Sequence, residues 1–112
     1  MSVVCDPNFL VNRYVYVIYI QNPVYGAVDV PAYQATQGVV VRYTDINGVA
    51  DPNSRTALVG KDPWTGFVVC GNSHSVGDLA FGHDGTLFAG SGDGGHWEWD
   101  DDGTDRTAYV ES

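Results

Sequence analysis

The stretch Gly77-Asp78-Leu79-Ala80-Phe81-Gly82-His83-Asp84-Gly85-Thr86-Leu87-Phe88-Ala89-Gly90 decides the fold class. Its first five residues alternate, its centre carries the turn chemistry Gly-His-Asp-Gly, and its last five return as a second strand. Short alternating runs on either side of a glycine-containing turn predict an antiparallel hairpin. Ser91-Gly92-Asp93-Gly94-Gly95 then ends it. With the turn centred near residue 84, opposed residue numbers sum to about 168, because antiparallel partners are mirrored about the turn. His74 is therefore expected opposite residues 93 and 94, at the same end of adjacent strands as Asp93.

Upstream, the same signals recur. Ser2-Val3-Val4-Cys5 is a short β-branched strand that Asp6-Pro7-Asn8 closes with turn residues, and Tyr14-Val15-Tyr16-Val17-Ile18-Tyr19-Ile20 is rich in residues that suit a pleated surface. Asn22-Pro23 stops that strand, and residues 24–37 read as a loop. Gly38-Val39-Val40-Val41-Arg42-Tyr43 forms a third strand, Asp45-Ile46-Asn47-Gly48 a turn, and Arg55-Thr56-Ala57-Leu58-Val59 a fourth, outer strand after the loop at Asp51-Pro52-Asn53. Four successive short antiparallel strands make one propeller blade. The chain reads as all-β: an antiparallel β-propeller fragment with one four-stranded blade over residues 1–61, the inner hairpin of the next over 74–95, and an acidic loop over 96–112. Without the missing blades of its parent, such a piece is expected to be catalytically inert and poorly folded. The apolar faces bearing Tyr16, Ile18, Val39 and Val41 would then lie open to water.

Composition excludes several classes. The 112 residues carry a formal charge of −9 with only five basic side chains, and Arg13, Arg42, Arg55, Lys61 and Arg106 are scattered. A nucleic-acid surface needs clustered cations, so nucleic acid is not an expected partner. No apolar run is long enough to span a bilayer as a helix, so no membrane span is expected. Met1-Ser2-Val3-Val4 lacks the basic start and long apolar stretch of a signal peptide. Cys5 and Cys70 have no metal-type spacing, and both a disulfide and two free thiols remain open.

The candidate chemistry lies at the hairpin's open end. A histidine with a carboxylate neighbour at the mouth of a propeller channel is suited to general-base work, because the carboxylate orients the ring and favours the imidazolium that proton uptake produces. His74 and Asp93 are the candidate pair. Two structural alternatives stand beside this. A histidine among glycine-rich turns also suits a solvated, hydrogen-bonded role, and Asp93 between glycines also suits a carboxylate capping backbone N–H groups.

The run from His74 to Gly94 resembles the histidine-bearing segment of the pyrroloquinoline-quinone (PQQ) dependent glucose/sorbosone dehydrogenases, which reads H-x-x-G-x-L-x-F-G-P-D-G-x-L-Y-V-x-x-G-D. Asp6-Pro7-Asn8-Phe9 with Asn12 and Tyr14-Val15-Tyr16 is similar to that family's D-P-x-F-x-x-N-x-x-V-Y pattern, and the two patterns occur in the expected order. The resemblance implies a six-bladed propeller that oxidises an aldose or sorbosone-type sugar. His74 would take the hydroxyl proton, Asp93 would support it, and hydride would pass to PQQ; their separation of 19 residues agrees with the family's spacing. It also implies a secreted quinoprotein, periplasmic or extracellular, with a small-molecule sugar as substrate and calcium in the parent. The residues that clamp PQQ and the calcium ligands of that family are not placed in this chain. His83 stands where the family has proline. The alternative is a non-catalytic propeller, related to the family, that serves as a binding or interaction module.

Other residues carry weaker signals. Glu98, Asp100, Asp101, Asp102 and Asp105 suit either a solvated acidic loop or a calcium site, but lack the order of an EF-hand loop. His96, Trp97 and Trp99, and Trp64 in Asp62-Pro63-Trp64-Thr65-Gly66, suit either sugar contact or anchoring of their loops.

Overall fold

The computed structural model describes residues 1–21, 36–69 and 74–93. In chain order they form β1 (Ser2–Cys5), the short helix α1 (Phe9–Asn12), β2 (Tyr14–Gln21), β3 (Thr36–Ile46) and β4 (Val49–Ala50). A 3-10 turn (Pro52–Ser54) follows, then β5 (Thr56–Val59), β6 (Phe67–Val69), β7 (Val76–Phe81) and β8 (Leu87–Ser91). The protein is all-β, with a six-stranded and a two-stranded sheet, both antiparallel and neither closed into a barrel.

The larger sheet is built on β3. One edge pairs with β2 from Gln37 to Thr44, and β2 pairs in turn with β1. The other edge is shared end to end by three short strands: β6 at Thr36–Gly38, β5 at Val40–Arg42 and β4 at Asp45–Ile46. A central strand that is covered on both faces reads as a continuous apolar run, and Val39, Val40 and Val41 are all buried. Asn47 and Gly48 take φ of 54° and 84° between β3 and β4. That left-handed pair is what a two-residue hairpin turn demands.

The strand β7 crosses one face of this sheet. Leu79 joins Ile18 and Val40 in a buried cluster flanked by Val4, Tyr16, Val59, Phe67, Val76, Leu87 and Ala89. Gly38 permits the approach: a Cβ there would lie 2.1 Å from Cγ1 of Val76. Tyr16 meets Phe81 edge to face with ring centroids 5.3 Å apart, and the Ser2 hydroxyl donates to Asp78. On the opposite face the turn after β5 folds back over Val39. A Cβ on Gly60 would come within 2.5 Å of that valine's Cγ1.

Several expectations change. Ile18, Val39 and Val41 do not lie open to water: all are fully buried, and Tyr16 is half-buried, because the hairpin covers one face and the Gly60–Gly66 turn approaches the other. Thr36 and Gln37 belong to β3, so the loop read as 24–37 ends earlier; residues 22–35 lie outside the described residues. The larger sheet runs past residue 61, since β6 returns to pair with the start of β3. A helical turn, α1, was not expected after Asp6-Pro7-Asn8. The strands at 2–5, 14–20 and 38–43 and the hairpin about residue 84 stand where the pattern places them. Cys70, His96, Trp97, Trp99 and the acidic run 98–105 lie outside the described residues, while Cys5 is an exposed free thiol.

Candidate functional site

The site is built from the open ends of β7 and β8. Leu79, Ala80 and Phe81 pair with Ala89, Phe88 and Leu87, and a bulge between Val76 and Leu79 shifts the register by one residue, so that Val76 faces Ser91. Beyond that pair the Gly92 N–H donates to the Ser75 carbonyl at 2.6 Å. The chain then leaves the ladder. His74 has φ of 50°, in the left-handed region that residues with a Cβ seldom occupy.

This geometry brings the two sequence-predicted residues together. His74 Nδ1 lies 3.1 Å from Oδ1 of Asp93, and the two side chains are 51% and 63% exposed. A carboxylate only accepts, so the contact is a hydrogen bond when Nδ1 carries the ring proton. Nε2 then holds the lone pair and is the nitrogen able to take a proton from a substrate. A contact this exposed is screened by water and adds little stability. Its consequence is chemical: while a neutral ring makes this bond, its proton is on Nδ1.

The neighbouring carboxylates are engaged differently. Asp78 accepts from the Ser2 hydroxyl and from the Leu79 N–H, and the first of these chiefly holds its carboxyl below the ordinary range. Asp84 accepts from the Thr86 N–H at 3.0 Å and is lowered for that reason first. Both fasten backbone. His83 sits exposed at the turn itself, between Gly82 and Gly85, where the Gly85 N–H closes on the Gly82 carbonyl.

The second quoted pattern, from Asp6 to Tyr16, forms a closed knot at the other end of the larger sheet. Asp6 accepts from the Asn8 N–H at 2.8 Å and from the Tyr16 hydroxyl at 2.9 Å, and Asn12 accepts from the Tyr14 N–H at 2.9 Å. The Asn12 side chain, then the Asn8 N–H, hold the Asp6 carboxyl below its usual value, and burial followed by Asp6 raises the Tyr16 phenol. Arg13 caps α1 in a left-handed conformation, stacks over Phe9 at 4.4 Å and pairs with Asp45. These residues hold the link between β1 and β2.

Ser75 and Gly92 supply the backbone bond that seats the pair, a role the sequence pattern, which includes Gly92, does not assign. Trp64, half-buried, adopts φ of 65° in a turn that Thr65 closes by bonding to the Asp62 backbone. Among the described residues no three His, Cys, Asp or Glu side chains converge as a metal-holding group, and no helix is long and apolar enough to cross a membrane. Comparison with protein-family models gives no match, and comparison with curated proteins gives none either.

Proposed function

We propose that the chain is part of a β-propeller of the glucose/sorbosone dehydrogenase type and that His74 is the general base of a sugar oxidation, with Asp93 orienting it. The observation that carries this is the 3.1 Å contact at the strand ends, which leaves Nε2 of a half-exposed ring to accept a proton. The packing supports the architecture. Neighbouring blades of a propeller lie face to face, and here β7 rests on β1 and β2, the first two strands of the larger sheet. In that setting the start of β7, and with it His74, would stand at one mouth of the channel.

The chain's own residues account for one step. An alcohol or hemiacetal hydroxyl of the sugar gives its proton to Nε2 as the adjacent carbon loses hydride. The resulting imidazolium is stabilised by the Asp93 carboxylate at Nδ1. PQQ is the hydride acceptor that the resemblance implies, and its carboxylates call for cations. Among the described residues the arginines are engaged within the larger sheet: Arg13 with Asp45, Arg42 over the Tyr14 ring at 4.1 Å, and Arg55 with Gln21 and Tyr19. These three arginines are therefore not gathered to meet the carboxylates of PQQ.

That distribution of arginines also favours the second reading, a propeller of this kind that binds sugars or other partners without redox chemistry. One experiment separates the two. In the complete propeller supplied with PQQ and calcium, His74→Ala should lower dye-coupled sugar oxidation by about 10²–10⁴-fold, the span a general base contributes. Turnover retained by the variant overturns the assignment of His74. Absence of turnover and of PQQ binding in the folded parent selects the binding module.

A further inference from the structure

The geometry points to Gly92 as the positioning residue of the His74–Asp93 pair: the absence of a side chain at residue 92 permits the strand-end bond that fixes the histidine's tautomer, before any cofactor or sugar is bound. The chemical purpose rests on the proposed general base, but the device itself is independent of it.

Residue 92 has no room for a side chain. A Cβ on Gly92 would lie 2.3 Å from the His74 carbonyl oxygen, 2.7 Å from its carbonyl carbon and 3.0 Å from the Ser75 oxygen. All three are backbone atoms, so no flexible side chain can yield. The close approach is the same one that brings the Gly92 N–H to the Ser75 carbonyl at 2.6 Å. Gly92 is not left-handed, so the requirement is space and not backbone freedom.

His74 is held at φ 50°, a state that persists only where the surroundings impose it. Gly92 is the residue whose Cβ, were there one, would meet the His74 carbonyl, and the carboxylate that meets the ring is the next in sequence. One short stretch therefore supplies both the close approach to the His74 backbone and the acceptor for Nδ1. Gly90 lacks this constraint. A Cβ at Gly90 would meet only Asp78 backbone atoms at 3.6 Å, an ordinary contact.

The test reads the imidazole nitrogens of the 1–112 chain by long-range proton–nitrogen NMR at about pH 8.5, well above the ordinary histidine range. The Nδ1–H form of His74 should be the majority in the wild type and should become the minority in Gly92→Ala, as the ring returns to the balance of a free side chain. Gly90→Ala should leave the wild-type tautomer in place, and Asp93→Ala should abolish the bias with β7 and β8 still paired. A wild-type ring with no Nδ1–H bias, or a Gly92→Ala chain that keeps it, overturns the inference. Should Gly92→Ala unpair the hairpin altogether, hydrogen exchange in the wild type decides: the Gly92 amide must be protected relative to that of Gly90's exposed neighbours, and free exchange there overturns the clamp. Sugar oxidation enters none of these readouts, so failure of the catalytic proposal and failure of the clamp are seen separately.

Discussion

The knot from Asp6 to Tyr16 and the pair at His74 and Asp93 both join a carboxylate to a neighbouring strand, yet their polar atoms are used in opposite ways. In the knot, both Asp6 oxygens accept, Asn12 accepts from the chain it caps, and Tyr16 donates inward from a half-buried position. At the strand ends, a ring nitrogen meets a carboxylate oxygen on side chains more than half exposed, so the ring stays open to solvent. Polar groups consumed by backbone closure determine fold. A titratable group that is oriented but not consumed is available for chemistry.

The largest expected effect breaks the platform under the open pair while sparing the knot. Leu79 is the one residue of β7 in the buried cluster with Ile18 and Val40, and it carries the docking of the hairpin on the larger sheet. Leu79→Ala should destabilise that docking by about 2–4 kcal/mol through lost burial and the cavity left behind. Hydrogen exchange should show β7 and β8 opening while the Asn8 and Tyr14 amides keep their protection. Uniform opening of both regions would mean that the sheet and hairpin form one cooperative unit, and the contrast between them would be one of chemistry alone.

A smaller effect comes from the converse change. Asn12→Ala removes the acceptor for the Tyr14 N–H and the chief partner of Asp6, both in a part-buried setting. A lost hydrogen bond of this kind costs about 1–2 kcal/mol. Thermal unfolding should report that loss, and the nitrogen shifts of His74 should not move. A change in the His74 tautomer would show that the two regions are coupled through the Tyr16–Phe81 contact.

Much of this contrast was legible in the sequence, and what was missed has a physical pattern. The turn at residue 84 fixed the mirror register, and with it the meeting of His74 and Asp93, because antiparallel pairing follows arithmetic once the turn is known. The bulge at Val76 did not spoil that expectation, since it moved the partner by one residue only. What escaped were features set by long-range contact. The three residues of β6 are too few to show alternation, and their pairing depends on Gly66, where a Cβ would lie 2.2 Å from the Gly38 carbonyl oxygen. The docking of β7 depends likewise on Gly38, whose value lies in what Val76 needs and not in its own neighbours. The burial of Val39 and Val41 was missed for the same reason: a local pattern identifies an apolar face but not what covers it.

The smallest expected effect is acid sensitivity confined to the knot. Asp6 has its carboxyl held below the ordinary value of 3.8, first by Asn12, then by the Asn8 N–H, with Tyr16 adding to them. A carboxyl lowered in the folded state contributes stability that is present above its unfolded value and lost as pH falls through the folded one. Between neutrality and about pH 5 the Asp6 contribution should be constant. It should then decline as the solution is taken below 3.8, when protonation removes the anionic acceptor for the Asn8 N–H and the Tyr16 hydroxyl. Water screens much of it, so the change is modest. Asp78 and Asp84 are lowered as well and titrate over a similar window, so the bare pH profile does not isolate the knot. Asp6→Asn does: the difference in melting temperature between wild type and variant should shrink as pH falls from 5 to about 3. A melting difference that stays constant down to that acidity would mean that the Asp6 charge adds nothing to the knot, leaving Asn12 and the backbone turn to hold β1 and β2 together.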